Sequence, residues 1–183
     1  FPNEVRIARG RHDAAPGEPG EILARGPVIT AGYADRPAET AAAIDDGWLR
    51  TGDLGYLDAD GYLYVLDRRD DLVVSGGENG YPAEVEAVLL AHPGVEEAGV
   101  IGVPDPEWGQ AVAAVVRPTD GAGLDAPTLQ AFCRERLAGY KVPRHVRFTP
   151  EPLPRNAGGK LLRRALRDSW GESRSPGVAA GRP

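Results

Sequence analysis

The residues of this chain that could do chemistry sit on glycine-rich or turn-forming stretches. Leu153 to Lys160 reads Leu-Pro-Arg-Asn-Ala-Gly-Gly-Lys, so Lys160 is held on a nearly bare backbone and is free to reach into a site. Glycine-rich turns ending in lysine are common, and the same stretch also fits a solvated surface lysine. A helix is expected from Leu161 onward, which puts the ammonium at a helix start, where the macrodipole disfavours positive charge; that cost favours a working role. Asp53 follows Thr51 and Gly52 at the end of a β run. A carboxylate there can accept both hydroxyls of a ribose, with glycine letting the sugar come close, or it can cap its own turn. Arg68 ends the next β run, and a tight hairpin between the two would bring Asp53 and Arg68 to one end of a sheet. There they form either a ligand site or a surface ion pair of little energetic value. Gly76 and Gly77 make a tight turn or a passage for a narrow ligand. Trp108, in Pro-Glu-Trp-Gly-Gln, either anchors a small core or offers a face to an adenine, a contact of about 1–3 kcal/mol per base.

The elements that position these residues follow from periodicity and punctuation. Residues 4–8 and 21–25 read as strands around a Pro/Gly turn, and 37–44 as a short helix with proline in its first turn. Residues 48–57 and 62–67 are β runs joined by Asp-Ala-Asp-Gly. That tetrapeptide also resembles the start of a calcium loop, but the glutamate such a loop needs further on is missing. Beyond Arg69 the pattern becomes mixed. A short strand at 72–74 precedes a helix at 82–91, in which Val85, Val88 and Leu89 share a face. Val-rich strands follow at 99–103 and 111–117, then an amphipathic helix at 127–137 carrying Leu129, Phe132, Cys133 and Leu137. A strand at 146–148 and a helix at 161–170 complete the order, and the Gly/Ser/Pro-rich residues 171–183 are expected to be disordered. The fold class is α+β.

Composition narrows the functions. With 183 residues and 42% apolar content the chain can build one ordinary core or two small ones. A net charge of −6 argues against a nucleic-acid surface, and the basic residues from Arg163 to Arg167 read as a helix face. No run approaches the roughly 20 apolar residues of a membrane span, and no signal-peptide pattern opens the chain. Cys133 is the single cysteine, which fits a reducing cytoplasm. His12, His92 and His145 lack the neighbours that would make a metal site or a triad, so no metal centre is expected. The chain opens on Phe1 and holds no methionine, so it is expected to be a piece of a longer protein.

In this order, Thr51-Gly-Asp-Leu54, Asp67-Arg-Arg-Asp-Asp71, Ser75-Gly-Gly-Glu-Asn-Gly-Tyr-Pro82 and the Lys160 stretch resemble the carboxyl-terminal part of the AMP-forming acyl-CoA synthetases, within the adenylate-forming superfamily. The resemblance runs to about Trp170. It implies that residues 1–69 are the terminal β-rich subdomain of a large domain, whose amino-terminal region is missing. Residues 70–170 would be a small mobile α+β domain with a short mixed sheet and about three helices.

The resemblance further implies a ligase that joins a carboxylic acid to ATP, with magnesium, and passes the acyl group to CoA. Asp53 and Arg68 would hold ATP at ribose and phosphate, Asp70 would be the hinge, and Lys160 would stabilise charge developing as pyrophosphate leaves. Gly76 and Gly77 would line the pantetheine passage, with Trp108, Tyr140 and Lys141 on the CoA nucleotide. Gly-Gly-Glu-Asn at 76–79 is the form typical of CoA ligases. An adenylation domain serving a carrier protein, or a non-catalytic module keeping the fold, are the alternatives. Three positions depart from the family pattern. Asp67 replaces a glycine and puts a negative charge next to Arg68, Gly80 replaces a branched apolar residue, and Val142 stands where an arginine can occur. The isolated chain is expected to catalyse nothing detectable.

Overall fold

The computed structural model describes residues 3–10 and 12–172. The chain divides into two compact units, with the division between Asp70 and Asp71.

The first unit is an antiparallel sheet with one short helix. Its strands are β1 (Glu4–Arg9), β2 (His12–Asp13), β3 (Gly20–Arg25), β4 (Ile44–Asp45), β5 (Trp48–Leu57) and β6 (Leu63–Arg68), with helix α1 (Pro37–Ala43) between β3 and β4. The order is β2-β1-β3-β5-β4, and β6 also pairs with β5. Ile7, Ile22 and Leu23 are buried, the last two adjacent in β3 where its pairing with β5 is irregular. The guanidinium groups of Arg6 and Arg25 lie 4.7 and 4.6 Å from the Trp48 ring. Asp58 builds the β5–β6 turn: its Oδ1 accepts the amides of Asp60 and Tyr62 at 3.0 and 2.9 Å, which makes the Asp-Ala-Asp-Gly stretch a backbone turn.

The second unit contains β7 (Val73–Ser75), β8 (Glu78–Gly80), α2 (Pro82–Leu90), β9 (Val95–Asp105), β10 (Gly109–Pro118), α3 (Ala126–Arg134), β11 (His145–Phe148) and α4 (Arg163–Glu172). Its sheet is mixed. β9 pairs antiparallel along all of β10, β11 joins β10 in parallel, and β7 joins it at Gly109 and carries β8. β10 is buried on both faces, which explains its unbroken Val/Ala run. Val112, Ala114 and Val116 face one apolar cluster with Val85 and Leu89 of α2 and Leu129 and Cys133 of α3. Ala111, Ala113 and Val115 face the other, with Leu153 and with Leu166 and Trp170 of α4. Gly99 lets α4 come close, since a Cβ there would lie 2.5 Å from Leu166 Cδ1. Asp125 caps α3 by accepting the Thr128 amide at 2.9 Å.

An ionic network joins the first residue of this unit to its last helix. Arg163 reaches Asp71 at 3.3 Å and Glu86 of α2 at 2.7 Å, while Arg167 reaches Asp71 at 3.0 Å. The side chains of Arg163, Asp71 and Glu86 are 10%, 16% and 13% exposed, so their charges need this pairing. The basic face expected between Arg163 and Arg167 is thus turned in part toward carboxylates.

Two expectations need correction. The helix after Lys160 begins at Arg163, because Leu161 is held in a β-bridge with Arg155; Lys160 is not at a helix start, and the macrodipole argument does not apply to it. The expected tail at 171–183 is also too long. α4 runs through Gly171 to Glu172, and the remainder of that tail lies outside the described residues.

Candidate functional site

In the first unit the β5–β6 register sets Asp53 opposite Arg68, and Arg68 Nε reaches Asp53 Oδ1 at 2.9 Å. Thr51 fixes the strand behind them. Its hydroxyl donates to the Ile22 carbonyl at 2.8 Å and accepts the Asp53 amide at 3.1 Å. Both charged side chains stay partly open to solvent, 36% for Asp53 and 52% for Arg68, so the pair stabilises the fold little and is presented outward. Asp67 does not add charge on that side. It is 8% exposed, alternation turns it away from Arg68, and its Oδ1 accepts the Arg68 amide at 2.8 Å. Asp70 ends the unit with a side chain 93% exposed, and Arg69 Nε is 4.0 Å away.

In the second unit Gly76 and Gly77 form the two-residue loop between β7 and β8. Their φ values of 59° and 85° are what a type I′ hairpin requires and what other residues resist. The stretch read from sequence as a loop therefore includes a strand, β8. Gly80 is buried in that strand beside Val73, and a Cβ there would meet only ordinary van der Waals contacts. The Gly76 amide donates to the Trp108 carbonyl at 3.0 Å, and a Cβ on Gly76 would lie 2.6 Å from Trp108 Cε3. The indole is thus seated on the bare backbone of the hairpin while remaining 38% exposed. Asp105 shapes the Trp108 loop by accepting the amides of Trp108 and Glu107, both at 2.9 Å, and these bonds hold its carboxyl below the usual range.

Tyr140 and Lys141 lie in a single 3-10 turn, Gly139–Lys141. Tyr140 is exposed, whereas the Lys141 ammonium bonds both carboxylate oxygens of Glu84, at 2.9 and 2.7 Å. Burial works against that charge, but Glu84 prevails and holds the Lys141 ammonium above its usual range. Val142 points into the core. The cation that accompanies Trp108 is Arg144, whose guanidinium lies 4.9 Å from the indole centroid; sequence reasoning missed it because it was sought at position 142. Beside it a hollow of about 490 Å³ is lined by Asp105, Gln130, Arg134, Gly139, Arg144 and His145, within the range of ligand pockets.

Lys160 stands on a separate exposed turn. No hydrogen bond or ion pair reaches its ammonium among the described residues. The turn beneath it is tightly bonded. Asn156 Oδ1 accepts the amides of Gly158 and Lys160 at 3.0 and 2.9 Å, and Arg155 Nη1 donates to the Gly159 carbonyl at 2.9 Å. Arg155 in turn bonds Glu97 of β9 at 3.2 Å. Burial would raise the Glu97 carboxyl, but its bonds to Arg117 and Arg155 hold it below the usual range. Among the described residues no cluster of three or more metal-ligating side chains occurs, and no helix is long and apolar enough to cross a membrane.

Residues 84–160 match the family model of the AMP-binding enzyme C-terminal domain. A 2-succinylbenzoate–CoA ligase of Geobacillus kaustophilus is 61% identical over 167 residues, covering 91% of this chain and 34% of its own length. A feruloyl-CoA synthase of Amycolatopsis is 49% identical over 172 residues, 93% of this chain and 35% of its own. Among solved structures, the o-succinylbenzoate CoA synthetase of Bacillus subtilis in complex with its acyl-adenylate intermediate superposes with a TM-score of 0.85 at 49% identity, covering 92% of this chain and 34% of that one. The same enzyme is known in complex with ATP and a magnesium ion. The chain thus spans about a third of the length of the relatives it matches. Residues 84–160 are thus similar to the C-terminal domain of AMP-binding enzymes, and nearly all of the described chain is similar to about a third of these CoA ligases.

Proposed function

We propose that this chain is the carboxyl-terminal part of an ATP-dependent acid–thiol ligase that adenylates a carboxylic acid and passes the acyl group to CoA. The observation that carries the reading is Lys160, an exposed ammonium with no partner among the described residues, on a turn braced from below. As pyrophosphate leaves, negative charge grows on the α-phosphate and the bridging oxygen, and a fixed cation aimed there lowers the barrier. Asp53 is suited to accept the ribose hydroxyls, and Arg68 presents a planar fork to oxygen ligands beside it. Magnesium would enter with the nucleotide, as the ATP and magnesium complex of the Bacillus subtilis relative suggests.

For the second step, Asp70 would act as the hinge about which the small unit turns. Its side chain has little to hold it, which suits a residue that must change φ and ψ. The turn would withdraw Lys160 and bring the Gly76–Gly77 hairpin over the site, where bare backbone admits the pantetheine arm. Trp108 and Tyr140 would then offer aromatic faces to the CoA nucleotide. Arg144 supplies a cation at that surface, and Lys141 braces it through Glu84. The first acid to test is 2-succinylbenzoate, the acid named for the relative at 61% identity.

The test uses the full-length protein. Unaltered enzyme should exchange labelled pyrophosphate into ATP in the presence of the acid and form acyl-CoA on addition of CoA. Lys160→Ala should slow the exchange roughly 100- to 1000-fold, the loss typical of removing one charge-stabilising donor. It should leave thioester formation from preformed acyl-adenylate intact. An unchanged exchange rate in that variant would point to a binding module, and an acyl group refused by CoA but taken by a carrier protein would point to an adenylation domain.

A further inference from the structure

We propose that Asn156, supported by Arg155, is a positioning residue for Lys160: its side-chain oxygen fixes the turn that aims the ammonium. The proposal rests on Lys160 being the adenylation lysine. A lysine stem is flexible, and Gly158 and Gly159 before it add backbone freedom that would spread the ammonium over many positions. The structure removes that freedom from the inside. Asn156 Oδ1 takes two amides, one of them that of Lys160 itself. The Asn156 amide donates to the Lys160 carbonyl at 2.9 Å, and the Gly159 amide donates to the Asn156 carbonyl at 2.9 Å. One asparagine therefore makes four bonds across a five-residue turn, two of them with the residue to be aimed.

Arg155 fixes the same turn to the sheet. It holds the Gly159 carbonyl with one nitrogen and Glu97 with two others, at 3.3 and 3.2 Å, while Glu97 also takes Arg117 of β10 at 3.1 Å. Downstream, the Leu162 amide donates to the Pro154 carbonyl at 2.8 Å and closes the base of the loop. All residues from Arg155 to Lys160 are exposed, so these bonds contribute little to global folding. Their effect is on where the Lys160 backbone sits, and a displacement of about 1 Å at a reacting group can cost on the order of 100-fold in rate.

The experiment compares Asn156→Ala, Asn156→Asp, Arg155→Met and Lys160→Ala in the full-length protein. Two half-reactions are followed: pyrophosphate exchange with 2-succinylbenzoate or ferulate, and thioester formation from synthetic acyl-adenylate and CoA. Asn156→Ala should lower the kcat of exchange roughly 10- to 100-fold, leave KM for ATP and the thioester step near those of the unaltered enzyme, and melt at the same temperature. Asn156→Asp keeps the accepting oxygen and should recover most of the rate, and Arg155→Met should fall between. In a Lys160→Ala background Asn156→Ala should cost nothing more, since there is no ammonium left to aim. If Lys160→Ala is inactive in exchange while Asn156→Ala matches the unaltered enzyme, positioning by Asn156 is wrong and the role of Lys160 stands. A full additional loss in the double variant, or equal losses in both half-reactions, likewise overturns the proposal. Normal exchange by Lys160→Ala removes the underlying reading and this one with it.

Discussion

At the scale of single residues, Asp53 and Arg68 meet at 2.9 Å on strands that leave both open to water. A pair of this kind adds little to stability, so a change there should be felt in binding rather than in folding. Asp53→Asn in the full-length protein should raise KM for ATP by about tenfold, the usual scale for weakening a hydrogen bond to a charged group, with an unchanged melting temperature. Initial rates against ATP concentration decide it, and an unaltered KM would separate Asp53 from the nucleotide. The meeting of these two residues was legible only in part: Asp58 to Gly61 encodes the turn, but an irregularity between Leu54 and Gly55 shifts the pairing by one residue and sets Asp53 opposite Arg68. Lys141 was not legible in the same way. Its partner Glu84 lies on another element, 57 positions away in the chain, and no local pattern announces such a pairing. Arg144 was missed for a similar reason: its place over Trp108 depends on where Pro143 and Val142 enter the core.

At the scale of elements, the hairpin of β7 and β8 is the part whose shape most limits substitution. Gly76 combines a left-handed φ with an indole packed where its Cβ would be. Gly76→Ala should therefore displace Trp108, raise KM for CoA and slow the thioester half-reaction, while pyrophosphate exchange continues. Measuring the two half-reactions separately checks this; equal loss in both would place the hairpin outside the acceptor path. The sequence located most strands and helices because their apolar periods are clean, as in the Val/Ala run of β10. It lost β8, whose Glu-Asn-Gly has little strand preference and pairs only because two glycines turn the chain back on β7. It shortened β9, where Pro104 suggested a boundary but sits in the antiparallel ladder opposite Gln110. It also started the last helix too early, because Leu161 and Leu162 continue the apolar spacing of Leu166 and Trp170 although Leu161 is taken by the bridge to Arg155.

At the scale of the whole molecule, the chain covers about a third of the relatives it matches. The isolated chain should release no AMP from ATP with any acid and CoA, because one lysine and one carboxylate–guanidinium pair do not make an acid pocket. A coupled AMP assay is sufficient, and a measurable rate from this chain alone would require a complete site within it. The resemblance between this sequence and the adenylate-forming enzymes was carried by four short stretches, yet the second of them is tied to α2 and α4 by a partly buried charge network that no motif displays. Asp71, Glu86, Arg163 and Arg167 link the first residue beyond Asp70 to the helix that follows the Lys160 turn. In mechanical terms this is a crank without backlash. Under the proposed hinge at Asp70, the second unit is gripped at its first residue by the same guanidinium groups that anchor the helix after the Lys160 turn, so a rotation begun there would arrive at Lys160 undiminished. The enzyme would then need no separate signal to retire its lysine when the thiol's turn comes.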